Sequence, residues 1–189
     1  MKLNLCFPFV VGISDCSFIE EIQGPYKKII SKYNYEDHGF CHERPHLKNE
    51  FKRLNDWIHG ELQKYIKAHR YTDEYGCKES WLLDYQIGSS HLIHNHPGCV
   101  FSVLFFLEGY EHDVSLTFFN PVDDMMNPLN LTAQNKTRTN EFTHRFVYFP
   151  PKSGRLIIWR SHLMHGIENK TKDCKRIVFA YNFDRKKSL

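Results

Sequence analysis

The 189-residue chain lacks a long apolar run, a CxxC pair and any low-complexity tract. Without about 20 consecutive apolar residues, no segment predicts a membrane-spanning helix. The six cysteines are scattered through the sequence, so none has the close spacing of a zinc ribbon. The short apolar run at the beginning is interrupted by Pro8 and predicts an opening strand rather than a signal peptide. We therefore expect a reduced, cytoplasmic protein.

An excess of charge of one sign is also missing, since 25 Lys and Arg side chains stand against 22 Asp and Glu. This balance gives no indication of a nucleic-acid or anionic-membrane partner. With 41% hydrophobic and 15% aromatic residues, the chain can bury a substantial core, which excludes an intrinsically disordered chain and a collagen-like fibre. The length predicts a single domain that covers residues 1–189.

The first third of the sequence, about residues 14–72, predicts helices. Ser17 and Glu20 have the spacing of a capping box at a helix start, and the Gly-Pro pair at residues 24–25 predicts a break in that helix. Apolar residues then recur every three or four positions across residues 48–70, which is the pattern of an amphipathic helix. We expect these helices to cover a sheet.

From about residue 80 to residue 185 the periodicity changes from helical to strand-like. Short segments rich in β-branched and aromatic residues alternate with turn sequences. The predicted strands are 81–87, 91–96, 100–107, 114–119, 145–149, 155–159 and 176–183. Helices followed by seven short strands predict an α+β protein built on a jelly roll. The long polar stretch 120–144 predicts a lid, a binding loop or a disordered segment.

Two histidine motifs carry the strongest chemical signal in a sequence that has 12 histidines in all. His94 and His96 alternate along one predicted strand, so both should face the same side, about 7 Å apart, with His91 on the opposite side. His165 follows the predicted strand 155–159. Imidazole is a common ligand of divalent metals, and three such histidines predict a metal site with open positions.

Alternation along the predicted strand 176–183 places Arg176 and Asn182 on one face and four apolar side chains on the other. The apolar face should be buried against the helices, so Arg176 should point into the sandwich. A buried guanidinium needs an anion, and its planar fork suits a carboxylate. The candidate anions are an acidic cosubstrate or, for an arginine at the rim, a local acid such as Asp173.

Together these residues make the chain resemble the Fe(II)/2-oxoglutarate dioxygenase superfamily, in particular the 2OG-Fe(II) oxygenase branch found in phages and marine bacteria. The resemblance covers about half the chain, from Trp81 to Phe183. The residues and segments that carry it are Trp81, Gly88, His94, Asn95, His96, Pro97, 101–106, Pro151, 154–159, His165, Arg176, Val178 and Asn182.

The resemblance implies a double-stranded β-helix, or jelly roll, with N-terminal helices packed on the major sheet and iron held by His94 and His165. It also implies that Arg176, eleven residues after the distal histidine, binds the C5 carboxylate of 2-oxoglutarate. The second iron ligand of the superfamily is usually Asp or Glu, whereas this sequence has His96. We expect His96 to ligate directly, because strand alternation aims it to the same side as His94. The other reading places His96 beside an iron held by two histidines and water.

The implied activity is hydroxylation of an unidentified small-molecule or peptide substrate. It would use Fe(II) and 2-oxoglutarate, release succinate and CO2, and depend on ascorbate as the reductant. Tyr85 is a candidate hydrogen-bonding phenol for the cosubstrate, and Asn182 is a candidate pocket residue. Alternatively, Tyr85 is a packed core residue and the amide of Asn182 caps the backbone.

Two other functions are compatible with the sequence. A cupin-type metal-binding protein or metalloenzyme that does not use 2-oxoglutarate would explain His94, His96 and His165. However, the sequence lacks the glutamate that follows the second histidine in cupins, and a cupin would have no role for Arg176. A non-catalytic jelly-roll module would bind no metal and would use the stretch 120–144 as an interaction surface.

Overall fold

The computed structural model describes residues 9–36, 39–121 and 145–186. Within these ranges the chain forms ten strands and two α-helices, and two short 3-10 turns precede the second helix. The elements are β1 (Gly12–Asp15), α1 (Ile19–Ile30), β2 (Phe40–Cys41), the turns Pro45–Leu47 and Asn49–Phe51, α2 (Lys52–Ala68), β3 (Tyr75–Asp84), β4 (His91–His94), β5 (Phe101–Glu108), β6 (Leu116–Phe119), β7 (Phe146–Phe149), β8 (Arg155–Arg160), β9 (His165–Ile167) and β10 (Ile177–Arg185).

The strands form two sheets. The major sheet has the strand order β1-β8-β5-β10-β3-β2, and the minor sheet has the order β4-β9-β6-β7. Neighbouring strands in both sheets are antiparallel. Strands that are neighbours in a sheet are often distant in sequence, since β5 lies beside β8 and β10, and β9 lies between β4 and β6. This topology brings remote segments of the chain to adjacent positions.

The two helices pack on one face of the major sheet. α1 buries Ile22, Tyr26 and Ile30 on a single side, and α2 buries a stripe of five residues. The ring of Phe51, just before α2, meets the ring of Phe179 on β10 edge to face, with centroids 5.1 Å apart. The prediction of an α+β protein with helices packed on the major sheet is confirmed.

β10 is buried on both of its faces. Ile177, Phe179, Tyr181 and Phe183 belong to the core between the helices and the major sheet. Val178 belongs to a second core, which the major and minor sheets form between them. β5 divides its apolar side chains between the same two cores. This alternation confirms which face of the last strand packs on the helices, and it leaves the other face to the interior of the sandwich.

The predicted strands are present, and several of their ends differ from the prediction by two or more residues. β3 begins at Tyr75 rather than at residue 81, because this polar stretch continues the ladder with the end of β10. The predicted strand 91–96 ends at His94, so His96 lies in the turn that follows β4. The predicted helix 48–70 is confirmed as α2 with its preceding turn.

The predicted break in the first helix is wrong, because α1 continues through Gly24 and Pro25. Both residues are exposed, so water can hydrate the carbonyl that Pro25 cannot bond, and burial of the opposite side offsets the lost hydrogen bond. The predicted capping box is also wrong. Phe18 rather than Ser17 stands at the N-cap position, and no side chain caps the helix there.

Three remaining predictions concern the cysteines, membrane-spanning helices and the polar stretch 120–144. The five cysteines that lie within the described residues are free thiols. Across the same part of the chain, no helix is both long enough and apolar enough to cross a membrane. Most of the stretch 120–144 lies outside the described residues, so its role as a lid or binding loop stays a prediction.

Candidate metal centre and its cavity

Three histidines meet where β4 lies beside β9 at the edge of the minor sheet. His94, the last residue of β4, pairs across the ladder with His165, the first residue of β9. The backbone N–H of His96 donates to the carbonyl of Ser161 at 2.9 Å, which fixes the turn after β4. The ring centroids lie 4.4 Å apart for His94 and His165, 5.0 Å for His94 and His96, and 5.1 Å for His96 and His165.

The imidazole nitrogens of the three histidines can face a single ion. One ring nitrogen of each lies within 4.8 Å of the other two. Within the described residues, no carboxylate joins this cluster. The structure therefore brings together the three residues that the sequence singles out, and it leaves His96 in the position where a carboxylate would otherwise be expected.

Two of the rings are held by the same local hydrogen bond. Nδ1 of His94 lies 2.7 Å from the carbonyl oxygen of Leu92, and Nδ1 of His165 lies 2.9 Å from that of Leu163. A carbonyl oxygen only accepts, so Nδ1 carries the proton in both rings and donates it. Nε2 is then left with a free lone pair, which is the form of imidazole that binds a metal.

Burial disfavours the protonated, positively charged form of these rings at neutral pH. Loss of hydration lowers the pKa of His165 to about 3 and the pKa of His96 to about 4. In both cases, repulsion from His94 lowers the pKa further. Both rings are therefore neutral at pH 7, so a metal ion does not have to displace a proton from either of them.

The histidine triad (His94, His96 and His165) lies on the wall of a cavity of about 500 Å³ between the sheets. The ring of Trp81 lies 5.8 Å from that of His96, and the ring of Trp159 lies 4.9 Å from that of His165. The lining also includes His42, Arg44 and Glu79, which are exposed. The cavity is thus apolar around the triad and polar where it reaches the surface.

The predicted orientation of His91 is wrong. Its ring lies 5.4 Å from the ring of His94 and lines the same cavity. The cause is an irregularity in the ladder between His91 and His94 where β4 pairs with β9, since one irregular residue reverses the alternation of side chains along a strand. Burial lowers the pKa of His91 to about 4, so this ring is also neutral.

Tyr85 and Asn182 both line the cavity, and each is bonded to the protein. The phenol oxygen of Tyr85 lies 2.8 Å from Nδ1 of His91, and burial raises the pKa of Tyr85. The amide of Asn182 accepts a hydrogen bond from Ser102 and donates one to Glu79, both at 2.8 Å. Neither residue caps the backbone, and each side chain is already committed to a neighbour.

Arg176 is fully buried, immediately before β10. Its Nε lies 3.1 Å from Oδ2 of Asp113, and Nη2 donates to the carbonyl of Val114. The interpretation of Arg176 as a rim arginine paired with Asp173 is therefore wrong. The guanidinium is not among the residues that line the cavity, but it packs 5.3 Å from the ring of Tyr85, which does line it.

Sequence reasoning missed Asp113 and Lys170, which lie beside Arg176. Asp113 stands in a short polar stretch before β6, and Lys170 stands in the polar connection before β10. Both look like ordinary solvated residues in the sequence. Only the topology of the minor sheet brings these two connections together, so no local pattern could have identified them.

The sequence profile of a family described as "Putative 2OG-Fe(II) oxygenase" matches residues 79–182, which is more than half of the chain. This segment contains the whole triad and Arg176. A search of curated proteins finds no match.

The solved structures that are similar in fold include the following three. HygX from Streptomyces hygroscopicus with nickel and 2-oxoglutarate bound has a TM-score of 0.64 at 13% identity, covering 93% of this chain and 83% of that one. The viral collagen prolyl hydroxylase vCPH from Paramecium Bursaria Chlorella virus-1, as a 2OG complex, has a TM-score of 0.62 at 13% identity, covering 98% and 100%. The epimerase SnoN from nogalamycin biosynthesis, described as non-heme and alpha ketoglutarate dependent, has a TM-score of 0.63 at 11% identity, covering 93% and 78%. The predicted double-stranded β-helix is confirmed.

Proposed function

Because the chain belongs to the 2OG-Fe(II) oxygenase family, we propose that it uses Fe(II) and 2-oxoglutarate to hydroxylate a small-molecule or peptide substrate, releasing succinate and CO2. The observation that carries the proposal is the convergence of three neutral imidazoles in one cavity. Their ring nitrogens lie within 4.8 Å of one another, and two of them are fixed in the metal-binding tautomer.

In this proposal His94, His96 and His165 hold the iron. Three neutral nitrogen ligands suit a divalent first-row metal and leave the remaining coordination positions open to the cavity. Without a carboxylate ligand the metal keeps its full charge, which increases its attraction for an anionic cosubstrate. The proximity of all three rings supports direct ligation by His96 over a site of two histidines and water.

Bound iron and 2-oxoglutarate supply, together with dioxygen, the oxidative decarboxylation and the oxidation of a substrate C–H bond. The protein contributes position and environment. Trp159 and Leu104 line the cavity and are almost fully buried, so they exclude water from the space beside His165. Exposed His42, Arg44 and Glu79 line the part of the cavity that a substrate would enter.

Arg176 is the residue that we propose for the far carboxylate of 2-oxoglutarate. Its Nη1 is buried and has no hydrogen-bond partner among the described residues. Buried donors are nearly always paired, so an unpaired guanidinium nitrogen fits a site that an anion completes. Tyr85 and Asn182 would line the cosubstrate part of the cavity, with Tyr85 between the cavity and the guanidinium.

The test is an anaerobic titration of the metal-free protein with Fe(II), followed by 2-oxoglutarate. We expect a metal-to-ligand charge-transfer absorption band that appears only when both are present. Metal binding without a response to 2-oxoglutarate would favour the cupin-type alternative. Absence of binding by either component would favour a non-catalytic module.

Hydroxylation is tested separately from cofactor binding. The protein would be incubated in air with Fe(II), 2-oxoglutarate, ascorbate and a fractionated metabolite and peptide mixture. A mass gain of one oxygen atom in one component, with matching release of succinate, supports hydroxylation. Succinate release with a substrate of unchanged mass would instead indicate another oxidative outcome, such as epimerisation.

A further inference from the structure

Arg176 does not stand alone, because two other charged side chains are buried against it. The side chains of Arg176 and Asp113 are 0% exposed, and that of Lys170 is 1% exposed. Oδ2 of Asp113 lies 3.1 Å from Nε of Arg176 and 3.9 Å from Nζ of Lys170. The other carboxylate oxygen accepts the backbone N–H of Val114 at 2.9 Å. We call these three side chains the ion cluster.

The ion cluster carries one more positive charge than negative. Within the described residues, neither cation forms an ion pair with any carboxylate other than Asp113. The ammonium group of Lys170 otherwise donates to the carbonyl of Lys172 and contacts the thiol of Cys174. An unbalanced charge that is removed from water is costly, and the cost falls when a second anion joins the cluster.

The ion cluster lies behind the cavity wall, since none of its three side chains lines the cavity itself. The guanidinium of Arg176 packs on Tyr85, and Nη2 of Arg176 donates to the carbonyl of Val114, two residues before Leu116. Both Tyr85 and Leu116 line the cavity that contains the histidine triad. Nε and Nη1 of Arg176 are both buried without a hydrogen bond among the described residues, and of the two only Nε has Asp113 at ion-pair distance, 3.1 Å. The side of the cavity that Tyr85 lines is therefore the side behind which the buried positive charge of the ion cluster is in excess.

We propose that Lys170 and Asp113 determine selectivity for the far carboxylate of the 2-oxo acid, an inference that rests on the proposed function. Asp113 is a positioning residue that holds Nε of Arg176 and leaves Nη1 free. Lys170 supplies the charge that makes the loaded cluster neutral, since two cations then face two carboxylates. Without Lys170, the same carboxylate would leave the cluster with an excess negative charge in a buried site.

The experiment compares two ligands of nearly the same shape. Calorimetry on the full chain loaded with Ni(II), without oxygen, measures the affinity of 2-oxoglutarate and of 2-oxoglutaramate, in which the far carboxylate is a neutral amide. For the wild-type protein we expect a preference for the acid of roughly tenfold or more. Lys170→Gln keeps a hydrogen-bond donor and removes the charge, and we expect it to lower this preference about tenfold. Lys170→Arg should retain it.

Lys175→Met is the matched control, because Lys175 is about half exposed and pairs with Asp84 at the surface. Its preference should equal that of the wild type. An unchanged ratio of acid to amide affinity in Lys170→Gln overturns the inference, since a purely structural role for Lys170 would lower stability without changing selectivity. If neither ligand binds the metal-loaded wild type, the proposed function itself fails.

A second variant keeps the inference testable if Lys170→Gln does not fold. The double substitution Asp113→Asn and Lys170→Gln leaves Arg176 as the single charge of the cluster and keeps an acceptor for the N–H of Val114. Because the excess of one positive charge is restored, we expect a preference for the acid close to that of the wild type. Equal binding of acid and amide by this variant overturns the inference.

Discussion

The histidine triad lines the cavity, whereas the ion cluster lies behind Tyr85 of its wall, and burial affects the two groups in different ways. Burial lowers the pKa of His165 and His96 far enough to make these rings neutral at pH 7. Burial also lowers the pKa of Arg176, which Asp113 counteracts, and the guanidinium keeps its charge because its ordinary pKa is so high. A buried cation needs an anion, whereas a buried imidazole needs only a partner for its N–H. One cluster is therefore suited to a metal and the other to a carboxylate.

The largest expected effect is on the triad. His165→Ala removes the most deeply buried of the three proposed ligands, and we expect the Fe(II) affinity to fall by more than about 100-fold, beyond the loss typical of changes around a ligand. Anaerobic equilibrium dialysis against Fe(II) measures it. His162→Ala is the control, since His162 is exposed and outside the cavity. Retained iron affinity in His165→Ala would show that the ligand assignment is wrong.

The second-largest effect should be a loss of stability at acid pH that depends on the triad and not on the ion cluster. The folded pKa of His165, about 3, lies below the ordinary histidine value of 6.5, so between pH 3 and 6.5 the unfolded chain binds the proton more readily. The free energy of unfolding of the metal-free protein should therefore fall as the pH falls through this window, by up to about 1.4 kcal/mol per pH unit for this residue. Urea denaturation at pH 6.5 and pH 5 measures the change.

His165→Gln should show a smaller loss of stability over the same pH interval, because it removes one of the groups that resist protonation. Lys170→Gln should show the wild-type pH dependence, since it leaves the histidine triad unchanged. An equal pH dependence in His165→Gln and the wild type would mean that this ring is not held neutral by burial.

A smaller effect, on the affinity for 2-oxoglutarate, is expected from substitution of Arg176. Arg176→Ala should raise the dissociation constant for 2-oxoglutarate by more than about tenfold, because a charge-assisted buried contact is lost. Its Fe(II) affinity should stay near that of the wild type, since the triad is untouched. Calorimetry on the Ni(II)-loaded protein checks the first expectation and dialysis the second. An unchanged affinity for 2-oxoglutarate would show that Arg176 is misassigned.

The smallest effect should come from the residue between the two clusters. Tyr85→Phe removes the hydrogen bond to Nδ1 of His91 at 2.8 Å and leaves that nitrogen without its partner. We expect the free energy of unfolding to fall by about 1 kcal/mol, with the affinity for 2-oxoglutarate changed less than in Arg176→Ala. A larger loss of affinity in Tyr85→Phe would mean that the phenol contacts the cosubstrate directly.

The sequence predicts these two clusters to different extents. The triad depends on the pairing of β4 with β9 and on the turn that follows β4. His94 and His96 could still be identified from their spacing and His165 from a separate motif. The orientation of His91 could not be predicted, because one irregular position in β4 reverses the alternation. Every second residue of β10 from Ile177 to Phe183 is large and apolar, so the face that packs on the helices could be predicted.

The ion cluster was only partly predictable, for a physical reason. A buried arginine before β10 implies an anion, but nothing local says which one, and the nearest acid in sequence, Asp173, is exposed. Asp113 comes close to Lys170 because it precedes β6, whose first residue Leu116 pairs with Ile167 of β9, three residues before Lys170. The continuation of α1 through Pro25 could not be predicted from local sequence either. The stability gained by burying the apolar side of the helix exceeds the cost of an exposed proline within it.

The bonds from Nδ1 of His94 and His165 to carbonyls two residues earlier have an implication for how this protein could diversify. Each ring is oriented by the backbone just before it, and neither of these two bonds involves a side chain of the cavity. Residues such as Trp81 and Leu104 can then be exchanged to accept a differently shaped molecule while these two rings keep their direction. New specificity could arise by exchanging the lining, without rebuilding the reactive centre.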